Sequence, residues 1–172
     1  MICHLEPEVR PPGRARRRLL ASVVLALGVV SAAGTARAEV GLGLFVGQPA
    51  GLELKLDLQR RTALDLLLGV TSLRDGRADY AHVTYLVTPV VGRGRSVLVP
   101  LRLGLGVAFF DGGGGFADQV NVAVRAPLQL GLRLRSTPLE FYGEISFKVV
   151  LVNESDTATT DVDGGAGFRL LF

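Results

Sequence analysis

The sequence predicts an all-β fold, namely an eight-stranded antiparallel up-and-down transmembrane β-barrel. Three observations lead to this prediction: eight segments alternate apolar and polar residues, turn-forming residues separate them, and a secretory leader precedes them. Successive strand residues point to opposite faces of a sheet, so strict alternation predicts a strand with one apolar and one polar face. In chain order, the segments are 40–47, 52–59, 64–70, 81–88, 97–107, 120–135, 139–151 and 162–172.

The first four segments contain charged, histidine or glycine residues on their polar side. Segment 40–47 alternates aliphatic residues with glycine and Phe45, and segment 52–59 alternates leucine with acidic and basic residues. Segment 64–70 places leucines on the opposite side from Asp65. Segment 81–88 places valine and tyrosine on the opposite side from His82. Each segment therefore predicts a strand with one aliphatic face.

The last four segments repeat the pattern over greater lengths. Segment 97–107 alternates valine and leucine with Arg102 and glycine, and segment 120–135 does the same with arginine and glutamine. In segment 139–151, leucine, phenylalanine, isoleucine and valine alternate with Glu140, Glu144 and Lys148. Segment 162–172 ends on an aromatic residue, as bacterial outer-membrane barrels typically do.

The predicted connections fall into two sets that lie at opposite ends of an antiparallel barrel. Short turns at one end and longer loops at the other are typical of outer-membrane barrels. The first set is Gln48–Pro49, Leu73–Arg77, Asp111–Asp118 and Asn153–Asp161. The second set is Gln59–Arg61, Thr88–Ser96 and Arg135–Pro138, and it contains Arg60, Arg61, Arg93, Arg95 and Arg135.

Residues 1–38 are predicted to be a signal peptide, and residues 39–172 the barrel. Arg16–Arg18 precedes the apolar run Leu19–Ala33, and a small-residue site follows at Ala36–Ala38, so cleavage is predicted near Ala38. The alternative is a transmembrane anchor, but the run is shorter than the ~20 residues that a spanning helix needs. The formal net charge of +3 comes from this leader, which carries +4, whereas residues 39–172 carry −1. Nucleic-acid binding therefore has no electrostatic support.

Alternation alone allows either a soluble sandwich or a membrane barrel. The sandwich buries its aliphatic face, whereas the membrane barrel turns that face to lipid and keeps the polar face in the lumen. The leader, the segment lengths and the absence of charge on the aliphatic face favour the barrel, located in the bacterial outer membrane. Its predicted contacts are outer-membrane lipid, and the barrel-assembly machinery through the strand ending at Phe172. An extracellular partner is expected at loops 111–118 and 153–161.

An eight-stranded barrel is just wide enough inside for side chains to fill it. Charges removed from bulk water need partners, so a balanced set predicts a paired network that plugs the lumen. The predicted lumen network is Glu53, Lys55, Asp57, Asp65, His82, Arg102, Arg125, Arg133, Glu140, Glu144, Lys148, Asp163 and Arg169. The inward glycines are expected to leave room for the arginines; they are Gly41, Gly43, Gly104, Gly106, Gly131, Gly165 and Gly167.

Several segments resemble a small family of bacterial outer-membrane β-barrels of unknown function, similar in architecture to OmpX and the OmpA transmembrane domain. The resemblance lies in Gly41–Leu58, Thr62–Val70, Val99–Gly106, Pro138–Glu144 and Asp161–Arg169, with the tight turn Gly47–Gly51 and the stretch Ala126–Gly131. It implies an eight-stranded barrel with no established activity and no catalytic residues to transfer.

The predicted function is a structural or surface-interaction role, with no enzymatic activity and no cofactor. The first alternative is a narrow pore or passive transporter. The second is a lipid A-modifying enzyme, which would need His82 near a serine such as Ser146 and an orienting carboxylate. A lumen histidine in a hydrogen-bond network is the favoured interpretation of His82.

Three further features have ordinary interpretations. Asp156, Asp161 and Asp163 lack the regular spacing of a calcium loop and are expected to be solvated loop acids. Gly112–Gly115 has no Lys-Ser/Thr after it and is expected to be an exposed loop rather than a phosphate-binding loop. An interfacial aromatic girdle is expected from residues near strand ends. Its members would be Tyr80, Phe109, Phe110, Phe116 and Phe172.

Overall fold

The computed structural model describes residues 39–71, 78–111, 120–152 and 159–172. These residues form eight antiparallel strands, each paired with the next along the chain. In order, the strands are β1 (Val40–Gln48), β2 (Ala50–Gln59), β3 (Thr62–Val70), β4 (Asp79–Arg93), β5 (Val97–Asp111), β6 (Val120–Leu134), β7 (Leu139–Val152) and β8 (Thr159–Leu171). None of the described residues belongs to a helix long and apolar enough to cross a membrane.

Pairing between β1 and β8 closes the sheet, which confirms the predicted eight-stranded barrel. Gly41 lies opposite Leu171 and Gly47 lies opposite Gly165 in this pairing. The Val40 and Phe172 main chains complete the seam with reciprocal hydrogen bonds of 3.1 and 2.8 Å. Every described strand therefore has two hydrogen-bonded neighbours, and the sheet has no free edge.

The strand connections lie at two ends of the barrel. The end formed by the β2–β3, β4–β5 and β6–β7 connections is called the turn end below, and the opposite end is called the loop end. Several predictions lie outside the described residues: the signal peptide with its cleavage site, the Leu73–Arg77 connection, Gly112–Gly115 and Phe116. Asp156 and most of the predicted loops 111–118 and 153–161 also lie there.

The β4–β5 connection differs from the prediction of a long turn over Thr88–Ser96. β4 continues to Arg93, and a β-bulge between Val87 and Val90 restores the alternation. Proline has no amide hydrogen for a sheet ladder, so a bulge accommodates Pro89 where a regular strand does not. The sequence pattern fails at the bulge because two residues there lie opposite one residue of β5.

Two predicted loop boundaries also change. Asp111 lies within β5 and is buried, and Asp161 lies within β8. In register, Asp161 lies opposite Lys148 of β7. The ladder therefore extends further toward the loop end than turn-forming residues alone indicate.

Candidate functional site

The barrel interior contains all thirteen residues of the predicted lumen network. Ten of them are buried: Glu53, Lys55, Asp65, His82, Arg102, Arg125, Glu140, Glu144, Asp163 and Arg169. The other three, Asp57, Arg133 and Lys148, are partly exposed and lie toward the two ends. Their common orientation follows from the period-two alternation of the strands, since each of them faces inward at its register position.

Arg169 of β8 is surrounded by carboxylates from three other strands. Its Nη1 lies 3.0 Å from Glu53 Oε1 and 3.9 Å from Asp65 Oδ1, and its Nε lies 3.5 Å from Glu140 Oε1. The guanidinium also lies 3.9 Å from the ring centroid of Tyr142, a cation–π contact. One fully buried arginine thus connects β2, β3, β7 and β8.

Arg102 and Glu140 form the most regular ion pair of the interior. Arg102 Nη1 and Nη2 donate to the two carboxylate oxygens of Glu140 at 2.7 and 2.8 Å. This bidentate geometry is the strongest arrangement available to an arginine and a carboxylate. Lys55 donates to Asp57 at 2.5 Å on β2. The first pair links β5 to β7 inside the barrel, and in the second Asp57 neutralises Lys55 locally.

Arg125 of β6 is the centre of a second group. It pairs with Glu144, its Nη1 lies 2.6 Å from His82 Nε2, and its Nε donates to Ser146 Oγ at 3.3 Å. His82 Nε2 also lies 3.7 Å from Asp65 Oδ2. His82 therefore belongs to a charge-bearing network that spans β3, β4, β6 and β7.

Gln129 joins the Arg125 group to the Arg169 group. Its side-chain nitrogen donates to Glu144 Oε2 at 2.7 Å and to Asp65 Oδ2 at 3.4 Å. Its side-chain oxygen accepts from Arg169 Nη2 at 3.3 Å. An amide can donate and accept at once, so this fully buried side chain can bind carboxylates and an arginine together.

Partly exposed ion pairs terminate the network at both ends. At the loop end, Lys148 Nζ lies 3.0 Å from Asp163 and 3.2 Å from Asp161, and 5.2 Å from the ring centroid of Phe110. At the turn end, Arg133 forms a bidentate pair with Glu39. The expectation of solvated loop acids was wrong for Asp163, which is 6% exposed, because Lys148 offsets its burial.

Aromatic residues occupy the space between the charged groups. Phe45 stacks on Tyr142 with centroids 5.7 Å apart, and Tyr80 stacks on Phe110 at 6.5 Å. The expected girdle position was therefore wrong for Tyr80 and Phe110, whose register places their rings inside the barrel. Phe109 and Phe172 do face outward. Near a strand end, alternation determines the face more reliably than residue type.

The inward glycines make room for these aromatic rings as well as for arginines. A Cβ on Gly167 would lie 2.5 Å from the Tyr142 ring, and one on Gly165 would lie 2.8 Å from Phe45. A Cβ on Gly131 would lie 3.1 Å from Arg102 Nη1, as expected. The arginine explanation was wrong for Gly104, whose added Cβ would meet Leu86, Pro127 and Thr84.

Sequence reasoning missed several members of this interior. Glu39 was not among the predicted network residues, and its pairing with Arg133 depends on a register that no local pattern specifies. The same applies to the contacts of Gln129 and Tyr142, although alternation alone places both side chains inward. Leu67 and Leu86 are apolar yet fully buried, and they lie at inward register positions.

The described residues contain no group of three or more His, Cys, Asp or Glu that could hold a metal ion. The chain matches no protein-family model and no curated protein sequence. Among solved structures, it is similar to the backbone structure of the Yersinia pestis outer membrane protein Ail in a phospholipid bilayer nanodisc. The match has 18% identity and a TM-score of 0.30, and covers 78% of this chain and 100% of that chain. Because this TM-score is too low to support a shared fold, the fold assignment depends on the closed sheet itself.

Proposed function

We propose that this chain is an integral outer-membrane β-barrel with a structural or surface-interaction role and a lumen closed by paired side chains. The observation that carries the proposal is the distribution of polarity. Phe147 and Leu105 of the outward face are each 64% exposed, whereas Glu140 and Arg169 of the inward face are 0% exposed. In water the barrel would expose this aliphatic surface to solvent, which is unfavourable, whereas in a bilayer the surface would contact the apolar acyl chains.

The dimensions of the strands support membrane insertion. A tilted transmembrane strand needs about 9–11 residues. The described strands have between 9 and 15 residues. Closure of the sheet satisfies the backbone groups between strands, which is the condition for a β-structure in hydrocarbon.

The contacts of the interior support a closed lumen. Arg125 and Arg169 bind carboxylates from other strands inside the barrel, and Gln129 joins the two groups. Their near-complete burial leaves little space for solute at that level of the barrel. This closure supports the structural role. The surface-interaction role concerns connections whose residues lie mostly outside the described ranges.

The same contacts favour a barrel with no chemistry of its own. A hydrolase needs its histidine within hydrogen-bond reach of the nucleophile. Both ring nitrogens of His82 contact Arg125 Nη1, and Ser146 Oγ accepts from Arg125 Nε. We therefore expect His82→Ala to leave the acyl pattern of lipid A unchanged. A changed pattern would favour the lipid A-modifying alternative.

Membrane insertion can be tested by heat-modifiable gel migration of the membrane fraction. A folded barrel resists SDS until boiled, so unheated and boiled samples are expected to migrate differently. The protein is also expected to stay in the pellet after a carbonate wash. Release into the carbonate supernatant would contradict the proposal, and a peripheral protein of the same fraction provides the control for washing.

Closure can be tested by planar-bilayer recording of the purified protein. The proposal predicts no large, steady conductance. A general porin purified and recorded in parallel shows that the bilayers accept barrel proteins under the same conditions. Heat-modifiable migration of the same sample confirms that the barrel is folded. A large, steady conductance would support the pore or passive transporter instead.

A further inference from the structure

The turn end contains an open cavity of about 960 Å³ that the interior network does not use. Arginines line it from the β2–β3 connection, from the end of β4, and from the end of β6 with its connection to β7. The name turn-end vestibule is used below for the cavity lined by Arg60, Arg61, Arg93, Arg133 and Arg135. Its volume lies within the range of small-molecule sites, about 300–1,000 Å³.

The charge of the turn-end vestibule is not balanced. Among its five arginines, Arg133 pairs with Glu39. Arg60, Arg61, Arg93 and Arg135 are exposed, and none of them forms an ion pair with a described residue. The described lining contains no aspartate or glutamate. This differs from the interior, where carboxylates accompany every buried arginine.

The floor of the vestibule is closed to anything that enters from the turn end. Leu98 of β5 and Pro138 next to β7 line the cavity, and the next inward polar residues of those strands are Arg102 and Glu140. Their bidentate pair continues through Arg169 to Glu53 of β2 and Asp65 of β3, and this chain of ion pairs spans the lumen at that level. A ligand therefore meets a dead-end site rather than the entrance to a channel.

We infer that the turn-end vestibule binds a compact phosphate-bearing polyanion. Guanidinium groups present a planar fork of donors that matches phosphate oxygens, and such charge-assisted hydrogen bonds are among the strongest in proteins. Four arginines that pair with no described residue line one cavity, so a single ligand with two or more negative charges can contact several of them. The phosphate can belong to a soluble ligand or to a lipid headgroup.

Isothermal titration with inorganic pyrophosphate, at low ionic strength and in non-ionic micelles, tests the inference. Saturable 1:1 binding is expected. Because each variant removes one charge-assisted contact, Arg93→Gln and Arg135→Gln are each expected to weaken binding about tenfold. The matched control is Arg95→Gln, since Arg95 is exposed two residues beyond Arg93 but does not line the cavity. It is expected to weaken binding less than Arg93→Gln does, because it removes long-range attraction but no direct contact with the ligand.

Three outcomes would overturn the inference. The first is the absence of saturable binding of both pyrophosphate and phosphatidylglycerol. The second is an equal loss of affinity in the Arg95→Gln and Arg93→Gln variants, which indicates diffuse attraction rather than a site. The third is binding of a hexaglutamate peptide as tight as that of pyrophosphate, with the same arginine dependence. Heat-modifiable migration confirms that each variant is folded.

A second experiment distinguishes a soluble ligand from a lipid headgroup as the source of the phosphate. Pyrophosphate binding is compared in nanodiscs of phosphatidylcholine alone and of phosphatidylcholine with phosphatidylglycerol. Competition by phosphatidylglycerol that Arg93→Gln abolishes supports a lipid headgroup as the ligand. Unchanged affinity supports a soluble ligand. The micelle measurement does not depend on outer-membrane location, so its failure leaves the proposed function standing.

Discussion

The two faces of β7 have the same backbone but opposite surroundings. On the outward face, Ile145 and Phe147 are more than half exposed, and on the inward face Glu140 and Ser146 are fully buried. In a soluble sheet the same alternation would bury the apolar residues and expose the acids. The comparison shows that burial in this barrel follows the face that a residue occupies rather than its apolar character.

The two faces also differ in what determines the free-energy cost of a substitution. The inward face depends on specific partners, because a buried charge without its counter-charge costs several kcal/mol. In the membrane location proposed above, the outward face depends only on being uncharged, because lipid offers no hydrogen-bond partners. Substitutions on the inward face should therefore depend on which contact is lost, and those on the outward face on depth and charge.

The largest effect is expected for Arg169→Met. The change leaves Glu53, Asp65 and Glu140 without their shared guanidinium, so the free energy of unfolding should fall by about 3–5 kcal/mol. Urea unfolding of the protein folded into lipid vesicles measures this loss. The control is Leu170→Met, one residue away on the outward face, with an expected cost under about 1.5 kcal/mol. Equal costs for the two variants would contradict the distinction between faces.

A charge on the outward face should produce the next largest effect. Leu105→Lys lies near the middle of β5 and should destabilise the inserted barrel by about 2–4 kcal/mol. Val90→Lys introduces the same charge on the outward side of β4 near the turn end, where about 0–1 kcal/mol is expected. The same vesicle-based unfolding assay measures both. A cost that does not depend on depth would mean that lipid does not surround this face.

Glycine substitutions test packing on the two faces. Gly167→Ala forces a Cβ to within 2.5 Å of the Tyr142 ring and should cost about 1–3 kcal/mol. Gly143→Ala on the outward face meets only the Gly165 carbonyl oxygen at 3.9 Å and should cost less than about 0.5 kcal/mol. Tyr142→Leu should remove most of the extra cost in the double variant. A purely additive double variant would show that the ring is not the cause.

The smallest effect is expected at the partly exposed end of the interior. Arg133 and Glu39 have side chains about one-third exposed, so Arg133→Gln should change the free energy of unfolding by only about 0–1 kcal/mol. Added salt should reduce this small difference further. A loss as large as that of Arg169→Met would show that burial does not set the energetics of these pairs.

The alternation of the sequence was enough to predict the number of strands, their order and the inward position of all thirteen network residues. It was not enough to predict their partners, since pairs such as Arg133–Glu39 join residues 94 positions apart. The bulge at Thr88–Pro89 was missed because it changes the period locally. Tyr80 was assigned to the interface because a residue type was given more weight than its register.

Methyl NMR of the protein in nanodiscs tests the central claim most directly, because it examines both faces without any substitution. The claim predicts cross-relaxation between lipid acyl protons and the outward methyls of Leu105, Leu128 and Ile145. It predicts none for the methyls of Leu67 and Leu86, which are buried inside the barrel. Cross-relaxation with water at the outward methyls, or with lipid at Leu67 and Leu86, would contradict it.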